Sequence, residues 1–197
     1  MSAPVPAEAT KGERTRERLR RAATRVFARE GYEATRVADI VREAGVTQPT
    51  FYLYFASKEA AYEDRVEAFR QRLQQTTLGN LLDPSIPQAE FTDRVALSFR
   101  RFLDLMAEDR ELTEIGFFQP PGCTTTKARL VHWVADNIAR EQADRLFRDD
   151  LPAEFIARLL VGLLEQFGRM EGNDDRRREL AQACATLFCH GTRPPPG

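Results

Sequence analysis

Cysteine is scarce in this sequence of 197 residues. Its three cysteines, Cys123, Cys184 and Cys189, form no Cys-x-x-Cys pair. A sparse, odd set of cysteines indicates reduced thiols rather than a framework of disulfides. We therefore expect a protein of a reducing compartment, which in a bacterium is the cytoplasm.

Long apolar runs are also missing. The longest, residues 155–164, is interrupted by Arg158 and is far shorter than the roughly 20 residues of a membrane-spanning helix. The first eight residues have neither an apolar run nor a basic leader, so we expect no secretory signal and no membrane partner. Hydrophobic residues make up 42% of the chain and charged residues 30%, a balance typical of a globular protein.

The sequence motifs of common enzymes are absent. There is no G-x-S-x-G, G-x-G-x-x-G, phosphate-binding loop or H-E-x-x-H, and His132 and His190 are far apart. Cys189 and His190 are neighbours, which do not readily share a metal on one helix face. We expect no catalytic residue, no cofactor and no metal. A metal- or redox-responsive site built from the cysteines and histidines stays an alternative.

Charge of both signs is present, but it is unevenly distributed. Residues 11–58 contain eleven Lys or Arg and six Asp or Glu, a net charge of +5. Because the whole chain carries −1, the remainder carries −6. A basic N-terminal block on an acidic body indicates a module that binds a polyanion, although a solvated arginine-rich helix would give the same pattern.

Helical periodicity dominates, and no alternating run of Val, Ile or Thr predicts a strand. The first helix is predicted over 15–30 and ends at Gly31; its apolar stripe includes Leu19, Val26 and Phe27. Thr35, Thr47 and Ser57 are expected as N-caps of the next three helices, the last of them long. Further helices are predicted at 88–108, 110–117, 125–149, 153–170 and 174–190. The fold class is therefore all-α.

Residues 35–58 contain the pattern that indicates function. Two short helices joined by Ala44-Gly45-Val46 follow a longer supporting helix, an arrangement typical of a helix-turn-helix. Glycine at the turn allows the second helix to cross the first and to enter a major groove. Phe51 and Phe55 are four residues apart and are expected in the core.

A longer set of residues surrounds this turn: Gly31-Tyr32-Glu33-Ala34-Thr35, Ile40, Ala44-Gly45-Val46-Thr47, Thr50-Phe51-Tyr52-Leu53-Tyr54-Phe55 and Ser57-Lys58-Glu59. With these residues the segment resembles the N-terminal signature of the TetR family of transcriptional regulators. The resemblance implies an all-helical homodimer with a DNA-binding domain at 11–57 and a ligand-binding and dimerisation domain at 58–191. The tails at 1–10 and 192–197 are predicted to be disordered.

Each candidate contact with double-stranded DNA has its own chemistry. The Gln48 amide matches the N6 and N7 edge of adenine, and Pro49 and Thr50 offer apolar surface to a thymine methyl. The Tyr52 and Tyr54 hydroxyls suit phosphates, as does Lys58 near a helix N-terminus. The remaining candidates are Thr35, Arg36 and Thr47.

The C-terminal body is predicted to contain a dimer interface and an effector pocket. The helix near 153–170 is apolar nearly all round, so it and the helix near 174–190 are expected to pack against their twins in a four-helix bundle. The family resemblance implies a pocket for a small hydrophobic or amphipathic molecule, although each aromatic is more often plain core. The candidate lining residues are Phe99, Phe102, Met106, Phe117, Phe118, Trp133, Asn137 and Gln166, with His132 as a further polar candidate.

These features predict a ligand-responsive regulator that represses transcription from a palindromic operator and is associated with the bacterial nucleoid when it is bound to DNA. An effector in the pocket is expected to shift the fourth helix and to disturb the spacing of the two recognition helices. A transcriptional activator is the alternative that the sequence does not separate from a repressor.

Overall fold

The computed structural model describes residues 10–192, which form helices and no strand. The all-α prediction is confirmed. A 3₁₀ turn, Gln88–Glu90, precedes α5, and a π-helical turn, Glu114–Phe118, continues α6. The helices are α1 (Lys11–Glu30), α2 (Val37–Ala44), α3 (Gln48–Tyr52), α4 (Lys58–Leu78), α5 (Phe91–Glu108), α6 (Arg110–Thr113), α7 (Gly122–Ala143), α8 (Ala153–Phe167) and α9 (Asp174–Thr192).

The first helix begins earlier than predicted because Thr10 caps it. The Glu13 N–H donates to Thr10 Oγ1 at 3.2 Å, and the Thr10 N–H donates to Glu13 Oε2 at 2.7 Å. This reciprocal pair satisfies two donors that a helix start otherwise leaves free. Gly31, at a φ of 78°, ends the helix as predicted. Of the predicted tails, only Thr10 and Thr192 lie among the described residues, and Thr192 belongs to α9.

The predicted N-cap of α2 was wrong by one residue. The cap is Arg36, whose N–H donates to Asp39 Oδ2 at 3.3 Å, while Thr35 is buried and donates its hydroxyl to the Gly31 carbonyl at 2.7 Å. Gly45 then adopts the left-handed conformation, with φ 62° and ψ 40°, and ends α2. Residues with a Cβ rarely adopt this conformation, which explains glycine at the turn.

The first three helices, α1 to α3, pack into an N-terminal unit that we call the head, and the residues predicted as core do form its centre. Leu19, Val26 and Phe27 are buried on the inner face of α1, and Phe51 and Phe55 are buried against them. The periodicity of α1 and the spacing of the two phenylalanines are therefore confirmed. Their burial fixes α3 across α2 and leaves the opposite face of α3 exposed.

The helices from α4 to α9 form the C-terminal body. In it α5 packs against α9, and α7 packs against both α8 and α4. α7 runs over Gly122–Ala143 rather than the predicted 125–149. It stops because the chain folds back: the N–H groups of Leu146 and Phe147 both donate to the Glu141 carbonyl. Arg145 at this turn has a φ of 60°.

Helix α4 joins the head to the body. Tyr62 donates its hydroxyl to the Ile115 carbonyl at 3.0 Å and accepts the Gly122 N–H at 3.0 Å. About two turns further on, Arg70 Nε donates to Thr126 Oγ1 at 2.9 Å. These bonds tie α4 to the π-helical turn and to the start of α7.

Candidate nucleic-acid interface and ligand cavity

The N-terminal end of α3 is presented to solvent. Thr47, Gln48 and Pro49 are exposed, and Thr50 is half-buried. Thr47 is the N-cap residue as predicted, but its side chain does not cap the helix; its hydroxyl shares a hydrogen bond with the Thr50 hydroxyl at 2.9 Å. The Gln48 side chain makes no hydrogen bond within the described chain, so its amide is available to a base edge.

The C-terminal end of α3 presents further side chains to solvent. Tyr52 is exposed, and its ring packs edge-on against the buried Phe51, with centroids 5.4 Å apart. Leu53 is 80% exposed, which the sequence did not lead us to expect. Tyr54 is half-buried, and its hydroxyl lies 3.8 Å from the position of a Cβ built on Gly12. The start of α1 therefore borders the same face as α3.

Lys58 is held in place at the start of α4. Its Nζ donates to the Tyr32 carbonyl at 2.9 Å and lies 4.3 Å from the centre of the Tyr32 ring. The Tyr32 hydroxyl in turn donates to Glu59, and desolvation raises the pKa of Tyr32 to about 12. Lys58 forms no ion pair within residues 10–192, so its charge stays available to a phosphate.

The cations of the head differ in whether they are neutralised. Arg20 forms a two-pronged bond with Asp64 at 2.8 Å, and Arg25 and Arg29 both lie within ion-pair distance of Glu43. In the described chain Lys11, Arg14 and Arg36 are exposed and form no ion pair. Charge counting located the basic block but did not single out Lys11 and Arg14, because pairing depends on the tertiary arrangement.

Thr35 does not belong with these exposed groups. Its side chain is buried, and its hydroxyl hydrogen is used by the Gly31 carbonyl. The Thr35 hydroxyl therefore has no hydrogen left to donate to a phosphate.

A mostly apolar cavity lies in the C-terminal body between α4, α5, α7, α8 and α9, and we call it the Glu141 cavity. Its free volume is about 40 Å³. Asn137 and Glu141, four residues apart on α7, point polar groups toward it, and Glu141 is only 4% exposed. The lining residues are Thr77, Asn80, Leu82, Val95, Ser98, Phe102, Val134, Asn137, Ile138, Glu141, Phe147, Leu160 and Phe188.

Two of the predicted pocket residues, Phe102 and Asn137, line this cavity, and the others lie elsewhere. Gln166 and His132 are exposed, so their prediction as lining residues was wrong for this cavity. Trp133 is half-buried on α7. The remaining candidates are buried among other core side chains: Phe99, Met106, Phe117 and Phe118.

Glu141 was missed in the sequence, although a signal for it exists. Leu130, Val134, Asn137 and Glu141 follow one another at spacings of four, three and four, so the inward stripe of α7 ends in two polar residues. Glu165, a lone acid in the apolar helix α8, is exposed and pairs with Lys127.

Two larger depressions on the body are more polar. One, of about 550 Å³, runs between α4 and α5 beside Arg72, Arg101 and Asp104. The other, of about 380 Å³, lies along the segment between these helices. It shares Asn80, Leu82 and Ser98 with the Glu141 cavity, so the two spaces have part of their walls in common.

One face of α8 and α9 is apolar and has no partner within the described chain. Phe155 is 58% exposed and Leu187 is 74% exposed. Leu159 is exposed one turn after Phe155, and a Cβ built on Gly162 would meet nothing within 4 Å. The inner face of α8 is buried in the same body, so the helix is apolar on two sides, as its sequence indicated.

The residues considered for a metal are scattered. Cys184 and Cys189 are buried on α9, whereas Cys123 is half-buried at the start of α7. Within residues 10–192 no three His, Cys, Asp or Glu side chains stand together as a metal would require. In the same range, no helix has both the length and the apolar character that crossing a membrane demands.

Comparison with known proteins gives the class of this chain. Residues 19–63 match the family model described as bacterial regulatory proteins of the tetR family. An uncharacterised HTH-type transcriptional regulator of Bacillus subtilis (strain 168), YdgC, is 36% identical over 156 residues, which is 79% of this chain and 80% of that protein. The HTH-type transcriptional repressor DhaR of Mycobacterium sp. (strain GP1) is 38% identical over 72 residues, 36% of each chain.

The fold is shared with solved structures as well. A gamma-butyrolactone receptor described as ArpA-like superposes with a TM-score of 0.69 at 18% identity, covering 94% of this chain and 91% of that one. The chain is thus a DNA-binding transcriptional regulator of the helix-turn-helix class. It belongs to the TetR family, whose members are regulators and not enzymes.

Proposed function

We propose that this protein is a repressor that binds a palindromic operator as a homodimer and leaves it when a small hydrophobic or amphipathic effector enters the Glu141 cavity. The observation that carries the proposal is the position of α4. Its first residue, Lys58, follows the recognition helix α3 after a short connection, and Thr77 in its last turn lines the cavity. A single helix therefore runs from the DNA-binding domain to the cavity.

On DNA, Gln48 reads an adenine edge, and Pro49 and Thr50 contact a thymine methyl. The exposure of Gln48 and Pro49 at the start of α3, with Thr50 half-buried beside them, supports these roles. The phosphate contacts are assigned to Arg36, Thr47, Tyr52, Tyr54 and Lys58, with Lys11 and Arg14 added because they are exposed and unpaired.

The homodimer forms through α8 and α9, which match the predicted helices near 153–170 and 174–190. The exposed apolar side chains Phe155, Leu159 and Leu187 support this interface, and Gly162 permits close approach of two α8 helices. A two-fold axis through a four-helix bundle makes the interface self-complementary. Two recognition helices then face successive major grooves of a palindrome.

Release follows from linkage between the two sites. An effector that binds more tightly to the DNA-free arrangement shifts the population toward it by its difference in affinity for the two states. The resting cavity is smaller than most effectors, so occupancy displaces its walls, among them Thr77 of α4. Tilting α4 moves both recognition helices out of register with the operator.

Relatives lend support to both halves of the proposal. DhaR is named a repressor, and the structural neighbour with a TM-score of 0.69 is named a receptor for gamma-butyrolactone. The protein is placed in the bacterial cytoplasm and on the nucleoid when it is bound to DNA. An activator would share the same site and is distinguished by the sign of its effect on transcription.

The test is a genomic pull-down with the purified full chain and fragmented DNA of its source organism, followed by sequencing. A short inverted repeat upstream of a few genes is the expected result. Transcription in vitro from those promoters should fall when the protein is added. No enrichment at low salt, or a rise in transcription, would overturn the operator or the repressor assignment respectively.

A further inference from the structure

The Glu141 cavity contains a carboxylate with no cationic partner. The Leu82 N–H donates to Glu141 Oε1 at 2.9 Å, and in the described chain no Lys, Arg or His pairs with this carboxylate. A buried carboxylate is ordinarily paired, because burial alone disfavours its charged form. Burial does raise the pKa of Glu141, to about 7. A cation placed beside Glu141 would favour the charged form of this carboxylate.

A second acceptor lies one helical turn away. Asn137 Nδ2 donates to the Thr77 carbonyl at 2.8 Å, which fixes the orientation of the amide and leaves Oδ1 without a hydrogen-bond donor. Every wholly buried side-chain nitrogen or oxygen in residues 10–192 has a hydrogen-bond partner. Asn137 Oδ1 and Glu141 Oε2 accept none, so both must reach open space, and the cavity is the space that their residues line.

The hydroxyls around the cavity are already engaged as donors. Thr77 Oγ1 donates to the Leu73 carbonyl at 2.8 Å, and Ser98 Oγ donates to the Arg94 carbonyl at 3.3 Å. The remaining polar residue of the wall, Asn80, donates from Nδ2 to the Ser98 carbonyl at 3.5 Å and accepts at Oδ1 from Arg101. The oxygens that accept no hydrogen bond are those of Asn137 and Glu141 described above, and the Glu141 oxygen is able to carry a negative charge. The rest of the wall is apolar and includes Phe102, Phe147 and Phe188.

We propose that the effector of the Glu141 cavity is a protonated primary or secondary amine with a compact apolar body, its N–H groups donating to Glu141 Oε2 and Asn137 Oδ1. An ammonium group has several donors and no acceptor, which matches the atoms on offer. The apolar body lies against the phenylalanines. This inference rests on the proposed function, because it names the chemistry of the same effector site.

The route into the cavity passes the segment between α4 and α5. Leu82 in this segment is held by its bond to Glu141, and the outer depression begins on its far side. Because the free volume of about 40 Å³ holds little more than a few water molecules, an amine must displace this segment or the end of α4. Entry of the amine therefore moves the end of α4 or the segment that follows it.

The test measures binding without DNA, by titration calorimetry on the full-length protein at neutral pH. The probes are alkylamines from butylamine to octylamine, each compared with the carboxylic acid, the alcohol and the trimethylammonium salt of the same chain length. We expect the best amine to bind at least tenfold more tightly than each matched compound. Equal or tighter binding of the acid or the alcohol overturns the proposal, since neither supplies an N–H donor with a positive charge.

Two variants locate the site. Glu141→Gln keeps an oxygen for the Leu82 N–H but removes the charge, and it should weaken amine binding at least tenfold. Asp136→Asn removes a carboxylate from the exposed face of the same helix and should leave amine affinity unchanged. Equal losses in both variants would show a diffuse charge effect and would overturn the assignment.

Operator release is measured separately, by fluorescence anisotropy of labelled operator DNA. One outcome is that an amine binds the parent protein, binds Glu141→Gln much more weakly, and does not release the operator. This outcome supports the amine site and contradicts the proposed release function. If no amine binds while another compound releases the operator, the release function stands and the amine proposal fails.

Discussion

At the scale of single residues, exposure decides which members of the helix-turn-helix can read DNA. Gln48 is exposed at the start of α3 and has no bond within the described chain, whereas Phe51 three residues later is fully buried. Two residues of one short helix, three positions apart, therefore face solvent and the core respectively. The recognition surface is small, so single substitutions should have separable effects.

Gln48→Ala should relax the base preference at one position of each half-site. A bidentate contact with a base contributes roughly 1–3 kcal/mol of discrimination, so the preferred base should lose about tenfold or more relative to the others. Binding to a panel of operators with single base changes measures this. A uniform loss of affinity across the panel would argue against base readout.

Lys11→Ala combined with Arg14→Ala should weaken binding to all DNA sequences alike. Each phosphate contact contributes about 0.9 to the slope of log affinity against log salt, so the slope should fall by about 1.8. Arg140→Ala removes an exposed arginine of the C-terminal body and serves as the control. The phosphate role fails if the double variant keeps the salt slope of the parent protein.

Glu141 should make the stability of the protein depend on pH. Burial, with a smaller contribution from Asp144, raises its pKa to about 7, above the unfolded value of roughly 4.3. The stabilisation from this group is full below the unfolded pKa and is lost as the pH rises to about 7, because only the unfolded chain then gives up the proton readily. The loss should approach about 3 kcal/mol.

Urea unfolding at a series of pH values measures this loss. The free energy of unfolding of the parent protein should fall between pH values of about 4 and 7 relative to that of Glu141→Gln, which has no proton to release at this position. Asp136→Asn should follow the parent curve. Parallel curves for the parent and Glu141→Gln would contradict the raised pKa.

At the scale of elements, the close packing of α4 against the π-helical turn holds the head and the body together. Gly116 in that turn packs under Phe69 of α4 so closely that a Cβ there would lie 2.6 Å from Phe69 Cδ1. Tyr62 on the same helix bridges the turn and α7 by two hydrogen bonds. Movements of α4 must therefore carry this turn with them.

Gly116→Ala should destabilise the protein by about 1–3 kcal/mol, the usual cost of overpacking a core. Gly191→Ala is the matched control, because a Cβ at that helical glycine meets nothing within 4 Å. The control should leave stability unchanged or raise it by about 0.5 kcal/mol through helix propensity. Denaturant unfolding measures the free energy of unfolding of both variants. Equal values would refute the tight contact.

At the scale of the whole molecule, the exposed apolar face of α8 and α9 is what one isolated chain leaves unsatisfied. Leu187→Glu should place a charge in the proposed interface and turn the dimer into a monomer, with a loss of operator affinity of at least tenfold because the two half-sites are no longer read together. Leu78→Glu changes another exposed leucine, at the end of α4, and should leave the dimer and the operator affinity unchanged. Sedimentation velocity measures both. A Leu187→Glu protein that stays dimeric would exclude this face.

The sequence by itself determined the helical class, the turn at Gly45, the core positions of Phe51 and Phe55, and the membership of the family. These features depend on local rules of periodicity, capping and glycine conformation, which neighbouring residues in the chain already express. The boundaries that failed, at Thr35 and at the end of α7, depend on contacts that compete with those rules, namely a hydroxyl bond to Gly31 and a fold-back onto Glu141.

Only the tertiary structure decided which charges are free and where the cavity lies. Arg20 and Arg14 look alike in sequence, but Asp64 of α4 neutralises the first and nothing in the described chain neutralises the second. Phe99 and Phe102 are equally apolar, yet only Phe102 lines the cavity. The spacing along α7 places Glu141 on the inward face of the helix, but its position among apolar side chains of other helices, without a cation, depends on tertiary packing.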